Sequence, residues 1–147
     1  MKLRILKLHP DAKVPTYATD GSACFDLYAA EVNGQDSRGD VCSKGYPLIA
    51  DTGLAFEVPD GYMLRIASRS GLAFNKGITA FPGVIDSDFR AAVKVLLISD
   101  SGSVHIKPGD RIAQAFLCPS PKVVFEVAEQ LSITERGENG FGSTGAA

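Results

Sequence analysis

The sequence predicts an all-β protein, built as an antiparallel sandwich or jelly roll. Short apolar segments recur along the 147 residues, and turn-forming Gly, Pro, Asn and Asp residues separate them at close intervals. The helical character is confined to a short turn near residues 70–74, and the sequence contains no internal repeat. With 45% apolar and 22% charged residues, a chain of this length is expected to fold as one domain with its own core.

Composition narrows the classes of function. The formal net charge of −2 gives no general attraction for nucleic acid, so a bound anion must meet local basic groups. The N-terminus lacks the apolar run of a signal peptide, and no stretch is long and apolar enough to cross a membrane. We therefore expect no nucleic-acid partner, no membrane partner, and a protein that is not secreted but cytoplasmic, or nuclear in a eukaryote. Cys24, Cys42 and Cys118 lie far apart without a C-x-x-C motif, which predicts reduced thiols rather than a zinc site or disulfides.

The N-terminal half alternates between strand patterns and polar turns. One short strand is predicted within Leu3–Leu8 and another within Ala23–Ala29. The polar, glycine-rich residues from Glu31 to Gly45 predict a surface loop or hairpin excursion. Strand character resumes over Leu48–Val58 and, after a Pro-Asp-Gly turn, continues in Tyr62–Ala67.

Three features of this pattern have both a structural and a functional interpretation. Asp26 lies in an apolar strand, where its burial is costly unless it is paired or bonded to the backbone. The segment Ser68–Ala73 offers hydroxyls, a guanidinium and backbone N–H groups to a phosphate, but it also fits a helix N-cap with a surface Arg69. Gln114, in the predicted strand Arg111–Leu117, either contacts a ligand or satisfies a neighbouring backbone group.

The sequence from Gly83 to Arg90 predicts a hairpin with an acidic turn. Val84-Ile85 is a short β-prone run, Asp86–Asp88 are turn formers, and an apolar strand follows over Ala91–Ile98. Asp86 is held at the end of a strand, which suits a catalytic carboxylate and also suits an ordinary turn.

The C-terminal part predicts a last strand followed by a glycine-rich arm. The strand covers Val123–Val127, and the arm runs from Arg136 to Gly145. Such an arm has little to pack on and is expected to be mobile until it meets a ligand. Phe141 is flanked by glycines in this arm. An exposed aromatic ring is stabilised there only by stacking on a partner, and a phosphate-bearing base is a suitable one.

Taken together, five stretches resemble the five motifs of the trimeric dUTPase family, the deoxyuridine triphosphate nucleotidohydrolases. They follow the family's order and cover nearly the whole chain: Ala23–Ala29, Arg69–Ala73, Gly83–Arg90, Gly109–Gln114 and Arg136–Gly145. The resemblance implies one domain over residues 1–147, folded as a distorted antiparallel β jelly roll of the β-clip type. It also implies a homotrimer with active sites at subunit interfaces, and a flexible C-terminal arm, about residues 134–147, that closes over a site formed by other subunits.

The resemblance implies hydrolysis of dUTP to dUMP and pyrophosphate, assisted by Mg²⁺, which removes dUTP from the nucleotide pool and supplies dUMP for thymidylate synthesis. Asp86 matches the catalytic carboxylate, which holds and deprotonates the water that attacks the α-phosphorus. Asp26 is implied to contact the magnesium ion through water. The phosphates are implied to be held by a first group of residues on the core and a second group on the arm: Arg69, Ser70, Gly71 and Gln114, then Arg136, Gly142, Ser143 and Thr144.

By the same resemblance, the hairpin selects uracil and deoxyribose. A slot that matches uracil leaves its polar groups unpaired against cytosine. Main-chain groups that line this slot are implied at five positions: Ala80, Gly83, Val84, Ile85 and Lys94. Phe89 is implied to lie under the deoxyribose, and Phe141 to cover the uracil.

Five positions depart from the family pattern. Cys24 and Ala91 stand where relatives commonly have Gly, and Asn139 replaces a Gly of the arm. Ala80 replaces a frequent Asn beside the uracil slot, and Phe89 stands where Tyr is usual. None of these changes removes a charged catalytic group.

Two other functions are considered. A dCTP deaminase-like enzyme of the same fold needs an acidic residue beside the base, where this chain has Leu96, and the zinc-deaminase signature is absent. A nucleotide-sensing regulatory protein could use the same pocket, with the polar residues of 31–45 as its contact surface.

Overall fold

The computed structural model describes residues 1–34 and 39–138. Within these residues the chain is all-β with a single short helix, as the sequence predicts. The strands are β1 (Arg4–Lys7), β2 (Thr16–Tyr17), β3 (Phe25–Tyr28), β4 (Glu31–Val32), β5 (Asp40–Ser43), β6 (Leu48–Asp51), β7 (Leu54–Glu57), β8 (Tyr62–Ala67), β9 (Ile78–Ala80), β10 (Gly83–Ile85), β11 (Lys94–Ser99), β12 (Ser103–Ile106) and β13 (Arg111–Pro119), and the helix is α1 (Ser70–Lys76).

Two larger sheets and two ribbons make up the fold. The five-stranded sheet has the strand order β10-β8-β13-β3-β2, and the four-stranded sheet has the order β4-β6-β11-β9. The ribbons pair β1 with β7 and β5 with β12. In the described part of the chain, every pair of neighbouring strands is antiparallel, as expected.

One continuous hydrophobic core joins the two larger sheets. Leu27 and Leu64 reach it from the five-stranded sheet and Leu48 and Leu97 from the four-stranded sheet, and all four are fully buried. Burial alternates along β11, because successive side chains of a strand point to opposite faces of the sheet. Each of these leucines stabilises the fold by about 1.5–3 kcal/mol relative to an exposed side chain.

The short helix α1 lies between β8 and β9 and has defined ends. It begins after Arg69, whose backbone is extended, and it stops at Gly77, which has a left-handed φ of 63°. A Cβ at Gly77 would lie 2.8 Å from the Ser101 hydroxyl, so both conformation and space require glycine there. The predicted helical turn at residues 70–74 is confirmed. In the described residues, no helix is long and apolar enough to cross a membrane.

The predicted strand at Val123–Val127 is wrong for the single chain. Residues 120–138 contain no strand, and Val124, Phe125 and Val127 are at least nine-tenths exposed. In the described part of the chain, no strand pairs with residues 123–127. A strand needs a neighbour, and the apolar pattern alone cannot provide one.

The residues from 31 to 45 are more than a surface excursion, and that expectation is wrong in part. They contribute β4 and β5, and the side chains of Val32 and Cys42 are fully buried in the core. Residues 35–38 lie outside the described part of the chain.

The predicted hairpin around residues 83–98 has a different pairing from the expected one. β10 pairs with β8 in the five-stranded sheet, whereas β11 pairs with β6 and β9 in the four-stranded sheet. The hairpin stem is therefore β9 with β11, closed by the Phe81 N–H bonded to the Leu96 carbonyl at 2.7 Å. The residues between them cross to the other sheet and return, which places the acidic turn after β10.

Candidate active site

A buried carboxylate paired with two arginines lies on β3. Asp26 is 9% exposed, with its Oδ1 atom 2.9 Å from the Arg69 Nε atom and its Oδ2 atom 3.2 Å from the Arg111 Nη1 atom. Removing a carboxylate from water is costly unless opposite charge and hydrogen bonds replace the hydration. The expectation that Asp26 must be paired or bonded is confirmed, and its partners are guanidinium groups rather than the backbone.

The five-stranded sheet brings these groups together. On β13, Gln114 lies opposite Asp26 of β3 on one side and opposite Ala67 of β8 on the other. Arg69 follows two residues after Ala67, so the end of β8 delivers its guanidinium to the β3 carboxylate. The side-chain amide of Gln114 donates to the Ser68 carbonyl at 2.8 Å, which is the backbone contact that the sequence left as one alternative.

The arginine side chain is therefore not a simple surface group. Arg69 is 22% exposed in its side chain, and its Nη1 atom also donates to the Arg111 carbonyl at 3.1 Å. Arg69 precedes α1, but its side chain makes no capping hydrogen bond. The helix N-cap of the alternative is confirmed, because Arg69 is the N-cap residue of α1, but its side chain is ion-paired with Asp26 and is not a surface group. Ser70 and Gly71 are exposed at the start of α1.

Ser68 connects this cluster to the predicted base slot. Its hydroxyl accepts a hydrogen bond from the Ala80 N–H at 3.0 Å and donates one to the Ala80 carbonyl at 3.1 Å. Ala80 is only 4% exposed. Both main-chain groups of Ala80 thus already have a hydrogen-bond partner, the Ser68 hydroxyl. The predicted contact of Ala80 with a base is therefore less direct than the predicted contacts of the other slot residues.

The other predicted slot residues lie on an edge strand and at the start of β11. β10, which carries Val84 and Ile85, is the outer strand of its sheet, so one of its edges is paired with β8 and the other is open. At Gly83 a Cβ would lie 3.2 Å from the Ile66 Cδ1 atom, which explains a glycine at this close approach. Lys94 is 63% exposed and forms a 3.6 Å ion pair with Asp51.

The acidic turn after β10 is ordered by its own backbone. The Asp86 carbonyl accepts from the Phe89 N–H at 3.3 Å, and Arg90 donates to the carbonyls of Ser87 and Phe89 at 2.6 and 2.9 Å. Asp86 itself is exposed, and no residue in 1–34 or 39–138 forms a hydrogen bond or ion pair with its carboxylate. Phe89 is 40% exposed. This turn therefore offers water an accessible carboxylate with an aromatic ring three residues away.

A single chain does not bring this carboxylate to the arginine cluster. Gly83 lies opposite Ile66 and Ile85 opposite Leu64, so β10 leads away from Arg69 while β8 leads toward it. With a rise of about 3.3 Å per residue, Asp86 lies roughly 15 Å or more from Arg69 along the sheet. Asp26, Arg69 and Gln114 meet in one chain, and Asp86 stands apart from them.

One residue of this site had no role assigned from the sequence. Arg111 was overlooked because its contact with Asp26 joins residues 85 positions apart. A signal was present in the consecutive apolar residues Ile112-Ala113, which interrupt the alternation of β13. Ser68 was predicted within the segment that offers hydroxyls to a phosphate, but its hydroxyl bonds the backbone of Ala80, 12 positions away, a contact that no local pattern indicates. Of the predicted site residues in the arm, Arg136 is exposed and the other four lie outside the described part of the chain: Phe141, Gly142, Ser143 and Thr144.

The fold and this cluster define an all-β protein in which two arginines pair with one buried carboxylate at the end of a sheet. A family model described as dUTPase matches residues 10–145. Two curated relatives are named deoxyuridine 5'-triphosphate nucleotidohydrolase. That of Nautilia profundicola is 48% identical, with 99% of each chain covered, and that of Helicobacter hepaticus is 43% identical, with 100% of this chain and 90% of the relative covered. The chain belongs to the dUTPase family.

Solved structures agree on the fold. The dUTPase of Staphylococcus bacteriophage 80alpha with dUpNHpp has a TM-score of 0.87 at 24% identity and 98% coverage of both chains. A mutant dUTPase from phage phi11 of S. aureus, described with a structural Mg(II) ion, has a TM-score of 0.79 at 18% identity, covering 88% of this chain and 98% of the other. At these identities the likeness shows the fold alone.

Proposed function

We propose that this chain hydrolyses dUTP to dUMP and pyrophosphate, with Asp86 as the general base and the Asp26–Arg69–Gln114 cluster at the phosphates. The chain belongs to the dUTPase family, and dUTP hydrolysis is its activity. The division of roles among residues is carried by one observation: an accessible carboxylate that has no partner among the described residues and an arginine cluster occupy different ends of the same sheet. Two surfaces with complementary chemistry are available to one ligand only if two copies meet.

Asp86 holds a water molecule and takes its proton as the oxygen attacks the α-phosphorus in line. The bond between the α-phosphorus and its bridging oxygen breaks, and pyrophosphate leaves. An ionised, solvent-accessible carboxylate is needed for this, and the exposed position of Asp86 in a backbone-ordered turn supports the role. The triphosphate is strongly anionic even with a bound metal ion. Positively charged groups must therefore surround it before the water can approach the phosphorus.

The phosphates are held by groups from the core and from the arm. Arg69, with the Ser70 hydroxyl, the Gly71 amide and the Gln114 side chain, holds the α and β groups. Residues of the arm hold the γ end and exclude water when the arm closes: Arg136, Gly142, Ser143 and Thr144. Two observations support the roles of Arg69 and Gln114. The Arg69 guanidinium is partly buried, and the carbonyl of the preceding residue, Ser68, accepts a hydrogen bond from the Gln114 side chain.

A magnesium ion fits this site through water rather than through direct protein ligands. Within the described residues, no group of three His, Cys, Asp or Glu side chains could hold a metal. Mg²⁺ commonly keeps several waters and binds mainly to substrate phosphates, and it offsets the charge on their oxygens when bound. A carboxylate has about four acceptor positions, and the two arginines engage one position on each oxygen of Asp26, so the carboxylate has positions left to accept hydrogen bonds from metal-bound water.

Base and sugar are selected by the β9–β11 hairpin. The open edge of β10 offers main-chain donors and acceptors of Gly83, Val84 and Ile85, and the start of β11 adds Lys94. Ala80 shapes this slot, with its backbone held by Ser68. Phe89 packs under the deoxyribose, and Phe141 of the arm covers the uracil.

A homotrimer with sites at its interfaces accounts for the separation of Asp86 from Arg69. Two sets of observations support contact between copies. The predicted base and phosphate groups do not meet within one chain, and a C-terminal segment exposes large apolar side chains to no partner in the described chain: Val123, Val124, Phe125, Val127, Leu131 and Ile133. In this assembly, the sheets of each copy form the distorted jelly roll.

The enzyme acts on the nucleotide pool of the cytoplasm, or of the nucleus in a eukaryote.

The activity assay separates this function from the alternatives. The protein is incubated with dUTP, dCTP, UTP or dTTP in Mg²⁺, and pyrophosphate and the nucleoside monophosphate are measured. Pyrophosphate with dUMP from dUTP alone is expected. Accumulation of dUTP from dCTP would identify a deaminase, and tight binding of nucleotide without turnover would identify a sensor.

A further inference from the structure

We propose that Arg111 is a positioning residue, which holds the Asp26 carboxylate so that Arg69 can leave it for the substrate's phosphates. The inference rests on the proposed roles of Asp26 and Arg69. Each oxygen of Asp26 has its own guanidinium partner, Arg69 at 2.9 Å and Arg111 at 3.2 Å. The two arginines differ in setting: the Arg111 side chain is 50% exposed and that of Arg69 is 22% exposed.

A β-bulge in β13 brings Arg111 into this position. Gln114 lies opposite Asp26 and Ala113 opposite Leu27, but Arg111 lies opposite Tyr28, because the register shifts between Arg111 and Ala113. Asp26 and Tyr28 are two residues apart and share a face of the sheet. Without the extra residue, Arg111 would fall on the opposite face. Bulges occur next to active sites and redirect side chains in this way.

The same bulge supplies the second contact of Arg69. The Arg111 carbonyl accepts from the Arg69 Nη1 atom at 3.1 Å. Arg69 is thus held by the Asp26 carboxylate of β3 and by the Arg111 carbonyl of β13, and the side chain of Arg111 contacts the same carboxylate. Arg111 therefore acts on Arg69 through Asp26 and through its own backbone, without a direct contact between the two guanidinium groups being needed.

The charge balance explains why a second arginine is useful. Two guanidinium groups face one carboxylate, which leaves the cluster one positive charge in excess. If Arg69 were the sole partner of Asp26, the phosphate and the buried carboxylate would compete for the same guanidinium. Movement of Arg69 to the phosphate would then leave the buried carboxylate of Asp26 without a cation. With Arg111 in place, Asp26 keeps a partner when Arg69 turns to the anion.

A double-mutant cycle tests this role. Arg111→Gln and Asp26→Asn are made singly and together, and the binding of the imido analogue of dUTP in Mg²⁺ is measured by calorimetry beside steady-state kinetics on dUTP. We expect Arg111→Gln to weaken binding and raise KM about tenfold while kcat changes less than about threefold, because Asp86 is untouched. In the Asp26→Asn background, the same substitution is expected to change binding less than about twofold, because the carboxylate that Arg111 steadies is gone.

Two control variants accompany the cycle. Arg111→Lys retains the positive charge and is expected to lose less than about threefold in affinity. Arg4→Gln removes an arginine from an exposed 2.9 Å pair with Glu57 and is expected to change nothing. Equal losses from Arg111→Gln in both backgrounds, a loss from Arg111→Lys as large as that from Arg111→Gln, or failure of Arg111→Gln to fold would overturn the positioning role.

The outcome is distinguishable from failure of the proposed function. If the wild type does not hydrolyse dUTP, or if Arg69→Gln leaves binding of the analogue unchanged, the assignment of the phosphate cluster is wrong. If both behave as proposed and the cycle is additive, the role of Arg111 alone is rejected.

Discussion

The hydroxyl of Ser68 bonds both main-chain groups of Ala80, accepting from the N–H at 3.0 Å and donating to the carbonyl at 3.1 Å. Ser68 directly precedes Arg69, and its own carbonyl accepts from the Gln114 amide at 2.8 Å. Ala80 ends β9, the strand that leads into the predicted uracil slot. One residue thus connects the loop proposed to bind the phosphates with the hairpin proposed to recognise the base.

Ser68→Ala is expected to lower both stability and base selectivity. The Ala80 N–H is buried and would lose its partner, which costs about 1–3 kcal/mol in the free energy of unfolding. The ratio of kcat/KM for dUTP to that for dCTP is expected to fall, because the slot edge is no longer fixed. Urea unfolding and paired kinetics measure the two effects. Ser68→Thr keeps the hydroxyl and serves as the control; an equal loss of selectivity in this variant would contradict the role of the two hydrogen bonds.

Asp86→Asn is expected to retain binding of the dUTP analogue and to lose about 10²–10⁴-fold in kcat, because an amide cannot take the proton of the attacking water. Calorimetry and steady-state kinetics separate the two quantities. Asp88→Asn makes the same chemical change in the same exposed turn and is the matched control. If both variants had similar kcat values, the loss of kcat would come from the lost negative charge of the turn rather than from a lost general base.

Cys42 is expected to be the least reactive of the three thiols in the native protein. It is fully buried, its Sγ atom donates to the Leu97 carbonyl at 3.5 Å, and burial raises the pKa of its thiol above the usual value of 9.0. Burial favours the neutral form, so this contribution to stability is present below the unfolded pKa and is lost as pH rises through the folded pKa. With iodoacetamide at pH 8, Cys24 and Cys118 are expected to be labelled first, and Cys42 only after unfolding in urea. Mass spectrometry of the peptides gives the three rates, and native labelling of Cys42 at the rate of the others would contradict its burial.

Local sequence patterns were enough to predict the strands and the helix that can be recognised without knowing which segments they pack against. Tyr62–Ala67 was predicted from its strand pattern and its preceding turn, and β8 has those bounds. The helical turn after Arg69 was predicted from small and hydroxyl residues. In both cases, the information lies within a few residues of the element itself.

Relations between distant segments were not available from pattern alone. Asp26 was expected to need a partner, but the choice of Arg69 and Arg111 depends on how β3, β8 and β13 align. The strand predicted at Val123–Val127 failed because its pattern is apolar while its partner is absent from the described chain. The family resemblance named Asp86 and Arg69, yet the distance between them became apparent only from the register of β8 and β10.

Deleting residues 136–147 is expected to leave a folded trimer with activity lowered by about 10²-fold or more, because the arm's arginine and hydroxyls no longer hold the γ-phosphate or exclude water. Light scattering gives the mass and kinetics give kcat/KM. Deleting residues 146–147 alone is the control and is expected to change neither. Loss of the trimer or of folding in the longer deletion would mean that the arm is a structural part of the assembly rather than a lid.

Subunit complementation tests whether Asp86 and Arg69 of different copies form one site. Asp86→Asn and Arg69→Gln proteins are mixed in equal amounts, unfolded in urea and refolded together, and dUTP hydrolysis is compared with that of each variant refolded alone. If each site takes Asp86 from one copy and Arg69 from its neighbour, random assembly of trimers gives about one wild-type site in four, and about a quarter of wild-type activity should return. The same proteins mixed without unfolding provide the control and should stay inactive unless subunits exchange. Sites contained within one chain would recover nothing after refolding, because no single chain then carries both residues, and that result would reject the interfacial site.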